Sequence, residues 1–317
     1  MAALDYTELD WRGTVLLGTA LREGLLEAVA KEPRPAAEIA AAFGMDDRAV
    51  GIVFAALTEL GVLEEGEGGY ALREEHRGPL LDPEDPGYIG SSIVHRLRLF
   101  EGWVRLPEVL RTGEPFENRT APAFEGTETF VRALRRTGGE GAEEISSIVL
   151  SLLPEGASLL DVGGGPAANA EAFARDGARV TVFDRPEVLD LMRHHLDAAG
   201  IASLAGDMNE GLPEGPFDAI YFGNTSHMYG PEENVAVFRE MRSSLAPGGL
   251  LAVREFVRGM SEEAALFAVN MLVLTPRGNT YTASEYGSWL AEAGFAEVEV
   301  VSIPGLISHL VLARNPG

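Results

Sequence analysis

The chain has 317 residues, 46% hydrophobic and 23% charged, with 49 acidic against 25 basic side chains and a net charge of −24. That length suits two domains, and no apolar run reaches the ~18 residues that a membrane-spanning helix needs. The charge opposes binding to phosphate backbones. The absence of cysteine excludes disulfides, thiolate metal sites and cysteine nucleophiles.

The start, residues 1–5, carries Asp5 early instead of a basic-then-apolar leader pattern, so a cytoplasmic location is expected. Residues 16–29 have helical apolar spacing, and Pro35 suits the first turn of a second helix. Asp46 or Asp47 can cap a third, with Val50, Val53, Phe54, Leu57 and Leu60 on one face. Residues 62–65 and 70–72 then read as strands around a glycine-rich turn. Helix-helix-helix-hairpin is the winged helix-turn-helix order. Its would-be recognition helix carries Arg48 beside Asp46, Asp47 and Glu59, short of the donors that groove reading needs. A packing or dimerisation module, without nucleic acid, is the better expectation.

Residues 79–86 form a proline- and acid-rich joint, followed by helical stretches at 88–110 and around 130–136. The expected divisions are 1–86, a helical linker and substrate-pocket region at 87–144, and a catalytic domain at 145–317. From residue 157 the pattern alternates, with strands expected at 158–162, 179–184, 201–205, 217–222, 250–256, 296–303 and 309–313. Helices fit between most of them, which predicts an α/β fold with a parallel sheet covered on both faces. The last two strands flank the short Pro304-Gly305 turn and should pair antiparallel.

The first of these strands runs Leu159-Leu-Asp-Val-Gly-Gly-Gly-Pro166 into a helix. Glycines there let the backbone approach a ligand. Gly163-x-Gly165-x-x-Ala168 also satisfies a dinucleotide pattern, and Asp184 at the next strand end could accept from ribose hydroxyls in either case. Three features favour S-adenosylmethionine. Asp161 before the glycines would repel a pyrophosphate but not a cationic amino-acid sulfonium. Gly206-Asp207-Met208 offers an acceptor for an adenine amino group and an apolar lid. The terminal hairpin completes a sheet of five parallel strands plus an antiparallel pair.

These motifs resemble one family, the small-molecule O-methyltransferases of the caffeate and hydroxyindole type and their bacterial natural-product relatives. The similarity includes the winged-helix region, Leu160-Asp-Val-Gly-Gly-Gly165, Phe183-Asp-Arg-Pro-Glu-Val-Leu189, Gly206-Asp-Met208, Asn224-Thr-Ser-His-Met-Tyr-Gly230 and Ala246-Pro-Gly-Gly249. It implies a class I Rossmann-like methyltransferase sheet behind an N-terminal, mainly α winged-helix domain. It also implies a homodimer through that domain, a small-molecule acceptor, and no metal, since a carboxylate cluster after the fourth strand is absent. The implied cofactor residues are Asp161, Gly163, Gly165, Asp184, Arg185, Gly206, Asp207, Met208, Asn224 and Tyr229.

His227 matches the family's general base, and it follows the fourth strand at the edge where such sheets bind ligands. Capping the helix that starts near Pro231 is its alternative role. Glu255 matches the first of two glutamates that orient the histidine, with salt bridging to Arg254 or Arg258 as its alternative. The second glutamate falls on Thr280, and the acidic residue that often follows the histidine is Met228. These departures leave C- or N-methylation, or cofactor sensing without turnover, beside O-methylation of a phenolic or natural-product hydroxyl. Trp103, Phe130, Asn270, Met271 and Tyr281 are expected walls of the acceptor pocket.

Overall fold

The computed structural model describes residues 5–6, 8–116 and 123–317, apart from the side chains of 123–127 and 136–138. The leader reading at residues 1–4 therefore lies outside the described residues. Two compact units emerge, Met1–Glu101 and Gly102–Gly317. The division falls beyond residue 86, within a helix of the segment expected as linker.

The first unit opens with α1 (Trp11–Arg22), capped by the Asp10 carboxylate on Gly13 N at 2.9 Å. The single helix expected over 16–29 is broken: Gly24 takes φ +72°, and α2 (Leu25–Ala28) restarts from it. Glycine adopts that left-handed conformation without a Cβ penalty. Then come α3 (Ala36–Phe43) and α4 (Asp47–Glu59), with Asp46 accepting from Ala49 N at 2.8 Å as its cap. The hairpin β1 (Leu63–Gly66) and β2 (Gly69–Leu72) follows, with Tyr70 bridging back to Arg34. Leu17, Leu26, Ile39, Phe54 and Leu57 are fully buried at its centre, so the apolar face read from α4 is the packed one.

The expected joint at 79–86 is partly helical, because α5 (Glu74–Leu81) runs through Pro79. The expected 88–110 helix is two, α6 (Gly90–Val104) and α7 (Leu106–Thr112). Pro107 sits in the first turn of α7, where its missing N–H is tolerated but a continuous helix would not be. Next are α8 (Ala123–Gly138) and α9 (Ala142–Leu150).

Strands and helices then alternate: β3 (Ser158–Val162), α10 (Ala168–Arg175), β4 (Arg179–Asp184), α11 (Pro186–Ala198), β5 (Ala202–Ala205) and β6 (Phe217–Gly223). They continue with α12 (Pro231–Ser244), β7 (Leu245–Glu255), α13 (Glu262–Leu274), α14 (Ala283–Glu292), β8 (Ala296–Ser302) and β9 (His309–Arg314). Among the described residues, seven strands make one sheet in the order β5-β4-β3-β6-β7-β9-β8. The first five are parallel, and β9 lies antiparallel between β7 and β8.

Alternate residues of the central strands feed two cores. Leu159, Ala219, Tyr221 and Ala252 pack with Ile145, Phe173 and Met192 of α9, α10 and α11. Leu160, Ile220, Phe222 and Val253 pack with Phe238, Tyr286 and Leu290 of α12 and α14. A sheet buried on both faces explains why these strands read as continuous apolar runs. The chain leaves β3 toward β4 and β6 toward β7, so the crevice where strand order reverses opens at the carboxyl ends of β3 and β6.

Candidate active site

That crevice collects the residues singled out by motif. Asp161, on β3, is 2% exposed, and desolvation together with the nearby Asp184 carboxylate pushes its acid up to about 8. Gly163 holds φ +68°, and its N–H donates to Phe183 O at 2.8 Å. A Cβ on Gly164 would lie 2.8 Å from the Asp161 carboxyl, so the loop folds directly over that acid.

At the end of β4, Asp184 accepts from Gly165 N at 2.8 Å and Arg185 N at 2.7 Å. Burial nevertheless raises its pKa above the usual carboxylate value. The Arg185 side chain turns to Glu187, at 3.2 Å. Beyond β5, Gly206 donates to Asp184 O at 3.0 Å, and a Cβ there would strike the Phe183 ring. Asp207 is exposed and accepts from both nitrogens of Asn209, while Met208 is half-buried against the second core.

Beyond β6, Asn224 takes φ +52° and keeps a buried Oδ1 with no hydrogen-bond partner among the described residues. A short 3-10 turn, Ser226–Met228, then presents His227. The residue is 6% exposed, and its Nδ1 lies 2.8 Å from Glu255 Oε2. The other Glu255 oxygen accepts from His227 N at 3.2 Å, so one carboxylate holds both the ring and the backbone of the histidine. Glu255 is fully buried at the end of β7. The helix α12 is capped from Gly230, with Glu233 reaching back to Gly230 N, so His227 does not serve as its cap. Nor does Glu255 bridge to Arg258, which pairs with Glu285 at 3.1 Å.

The turn itself is pinned carbonyl by carbonyl. Asn234, fully buried, donates to Ser226 O, Tyr229 O and Gly230 O, and Asn279 N donates to His227 O. The Ser226 hydroxyl meets the Tyr286 hydroxyl at 2.8 Å. Thr280, where a second glutamate was expected, is buried and donates its hydroxyl to Ala264 O at 2.8 Å. Met228 is 45% exposed.

The expected acceptor walls divide. Trp103 and Asn270 meet, the indole N–H donating to Asn270 Oδ1, and Met271 is buried one position on. Phe130 is exposed on α8. Tyr281 is a correction: it is 2% exposed, packs on Trp289 at 4.6 Å and donates its hydroxyl to Tyr229 O. It braces the turn after His227 from within the core. Sequence reasoning missed Phe267, whose ring stands edge-on to His227 at 4.9 Å and packs against Phe256 at 4.4 Å. The apolar spacing of Ala264, Phe267 and Met271 marks a helix face, but nothing local in it signals a contact 40 positions away (267 − 227).

A match to the family described as O-methyltransferase domain covers residues 133–296. The chain belongs to this O-methyltransferase family. It is 31% identical over 316 residues to a 3-hydroxy-5-methyl-1-naphthoate 3-O-methyltransferase of Streptomyces sahachiroi, covering 92% of this chain and 88% of that one. It is 28% identical to the tetracenomycin polyketide synthesis 8-O-methyltransferase of Streptomyces glaucescens, covering 96% and 94% of the two chains. The solved structure of PigF with S-adenosylhomocysteine shares its fold, at a TM-score of 0.74, 24% identity and 96% coverage of both chains.

As a family member the protein is an S-adenosylmethionine-dependent methyltransferase that acts on a small molecule. The crevice fits that cofactor on its own terms. Glycines clear its floor, Asp161 and the orphaned Asn224 Oδ1 provide oxygen atoms for an ammonium, and Asp184 ends the neighbouring strand with its carboxylate on the glycine loop. Among the described residues, no cluster of metal-ligating side chains occurs and no helix is long and apolar enough to cross a membrane.

Proposed function

We propose that this enzyme methylates a phenolic hydroxyl of a natural-product-like aromatic, with His227 as general base and Glu255 as its orienting partner. The carrying observation is the buried His227–Glu255 pair at the carboxyl edge of the sheet, 2.8 Å apart. With Nδ1–H donated to Glu255, the imidazole presents the lone pair of Nε2 to an acceptor proton. A phenol of pKa ~10 is scarcely ionised at neutral pH, so removing that proton as the new bond forms is the chemistry the chain must add.

When bound, S-adenosylmethionine supplies a methyl group already activated by its sulfonium. Asp161 and Asn224 would hold its amino-acid end, Asp184 the ribose hydroxyls, and Gly206, Asp207 and Met208 the adenine, with Arg185 and Tyr229 bordering the site. Trp103, Asn270 and Met271 line the acceptor side, where Phe267 and Phe256 give apolar faces for a planar ring. By fixing the acceptor against the methyl donor, these residues would supply much of the acceleration through orientation. The acceptors named for the two Streptomyces relatives, a hydroxynaphthoate and a tetracenomycin polyketide, support the aromatic class.

The reading extends to a homodimer formed through the N-terminal unit, for which the helix-and-hairpin order of that unit speaks, and to a cytoplasmic location. The test is incubation with S-adenosylmethionine and a panel of hydroxynaphthoates and polyketide phenols, followed by NMR of the product. An O-methyl ether supports the reading, and a C- or N-methyl product replaces it with the other chemistry of the scaffold.

A further inference from the structure

Tyr221 lies in the middle of β6, fully within the first core, with its ring edge-on to Phe173 at 5.2 Å. It is 1% exposed. Its hydroxyl has no hydrogen-bond partner among the described residues. A buried hydroxyl left unmatched costs about 1–3 kcal/mol, so either a ligand atom or nothing repays it.

The placement of that hydroxyl narrows the choice. Two residues on, Gly223 ends the strand, and a Cβ built there would lie 2.7 Å from the Tyr221 oxygen. The glycine thus leaves room for the phenol oxygen beside the last residue of the strand. Asp161 is the register partner of Tyr221 on β3, so both side chains rise from the same face. Arg254 is the register partner of Gly223 on β7, which sets a guanidinium on the other side. The Arg254 side chain is itself held by Ser308 Oγ at 3.1 Å and Glu140 O at 2.9 Å. The Arg254 guanidinium nears the phenol oxygen without a well-aligned hydrogen bond, and desolvation raises the Tyr221 pKa further than Arg254 lowers it, so the hydroxyl keeps its proton.

The crevice therefore offers acceptors and a donor side by side. Asp161 and Asn224 Oδ1 suit an ammonium, whereas a protonated phenol next to a guanidinium suits a carboxylate. An α-amino-acid zwitterion carries both groups on one carbon. We propose that the Tyr221 hydroxyl binds the carboxylate of the amino-acid end of S-adenosylmethionine, an inference that rests on the cofactor assignment above. Gly223 is the permissive half of the pair, since any side chain there would displace the phenol.

The experiment compares wild type with Tyr221→Phe by calorimetry, using S-adenosylhomocysteine and its decarboxylated analogue, which keeps the amine but lacks the carboxylate. Melting temperatures are measured without ligand. The expected result is a roughly 5- to 30-fold weaker grip on S-adenosylhomocysteine in the variant, with the decarboxylated analogue bound equally by both proteins. The unliganded variant should melt at or above wild type, because an unmatched polar group has been removed. Unchanged affinity for S-adenosylhomocysteine, equal weakening of both ligands, or a lower unliganded melting temperature overturns the proposal. Failure of wild type to bind either ligand would instead overturn the cofactor assignment, and this proposal with it.

Discussion

Glu255 grips His227 at two points, through the ring Nδ1 at 2.8 Å and the backbone N at 3.2 Å, with the carboxylate fully buried. A single side chain therefore fixes the position of the turn, the tautomer of the ring and the direction of its second nitrogen. The proposed proton-transfer role rests on that last consequence. His227→Ala should lower kcat by about 10²- to 10⁴-fold, while calorimetric affinity for S-adenosylhomocysteine stays within twofold by our estimate. Full turnover in the variant would remove His227 from the mechanism.

Glu255→Gln separates orientation from charge. The amide can still accept from His227 N, but it can also turn its NH₂ toward the ring and favour the wrong tautomer. We expect kcat to fall with the KM for S-adenosylmethionine little changed. A variant with a raised KM and an intact kcat would make Glu255 a cofactor residue.

Asp161 couples stability to pH. Its acid is near its ordinary value in the unfolded chain but is pushed up to about 8 by burial and by Asp184 in the fold. The folded state then holds a proton that the unfolded state releases, so the Asp161 contribution to stability is greatest in acid and declines as pH rises toward 8. The limiting slope for one proton is about 1.4 kcal/mol per pH unit. Asp161→Asn should flatten this decline in the unliganded protein while weakening S-adenosylhomocysteine binding. Melting curves from pH 5 to 9 that run parallel in the two proteins would refute the coupling.

Gly164 has no room for a methyl group. A Cβ there meets Asp161 Cγ and Oδ2 at 2.8 Å and Val182 Cγ1 at 3.0 Å. Gly164→Ala should cost about 1–3 kcal/mol of stability through overpacking. It should also abolish cofactor binding by lifting the loop. Chemical denaturation with calorimetry would show both, and a variant as stable as wild type would mean the loop yields freely.

Asp184 does two jobs that substitution can divide. Its carboxylate closes the glycine loop through Gly165 N and Arg185 N, and it faces the expected ribose position. Asp184→Ala should raise the Kd for S-adenosylhomocysteine at least about tenfold through lost charge-assisted hydrogen bonds. Asp184→Asn should recover part of that loss, and equal affinity in all three proteins would move the ribose site elsewhere.

Much of this was legible in sequence because its causes are local. The glycines after β3, the acid ending β4 and the caps at Asp10 and Asp46 follow from what one turn of backbone requires. The apolar runs announced a sheet buried on both faces, and His227 and Glu255 could be named from the family resemblance of the motifs around them, with their strand-end places in support. Even local reading slipped at Gly24 and Pro107, where one residue's backbone preference ended a helix whose apolar period continued.

Only the tertiary structure decided which groups meet. Tyr281 has the composition of a pocket wall, yet packing against Trp289 draws it inside, and its hydroxyl follows the nearest unmatched carbonyl. Phe267 looks like ordinary helix core until α13 sets it against His227. Tyr221 reads as one more core residue in its strand, and only the bare backbone at Gly223 gives its buried hydroxyl room at the strand end. Sequence periodicity specifies which face of an element is buried. The partner on that face, and any polar atom left unmatched there, depend on strand order and register across residues far apart in the chain.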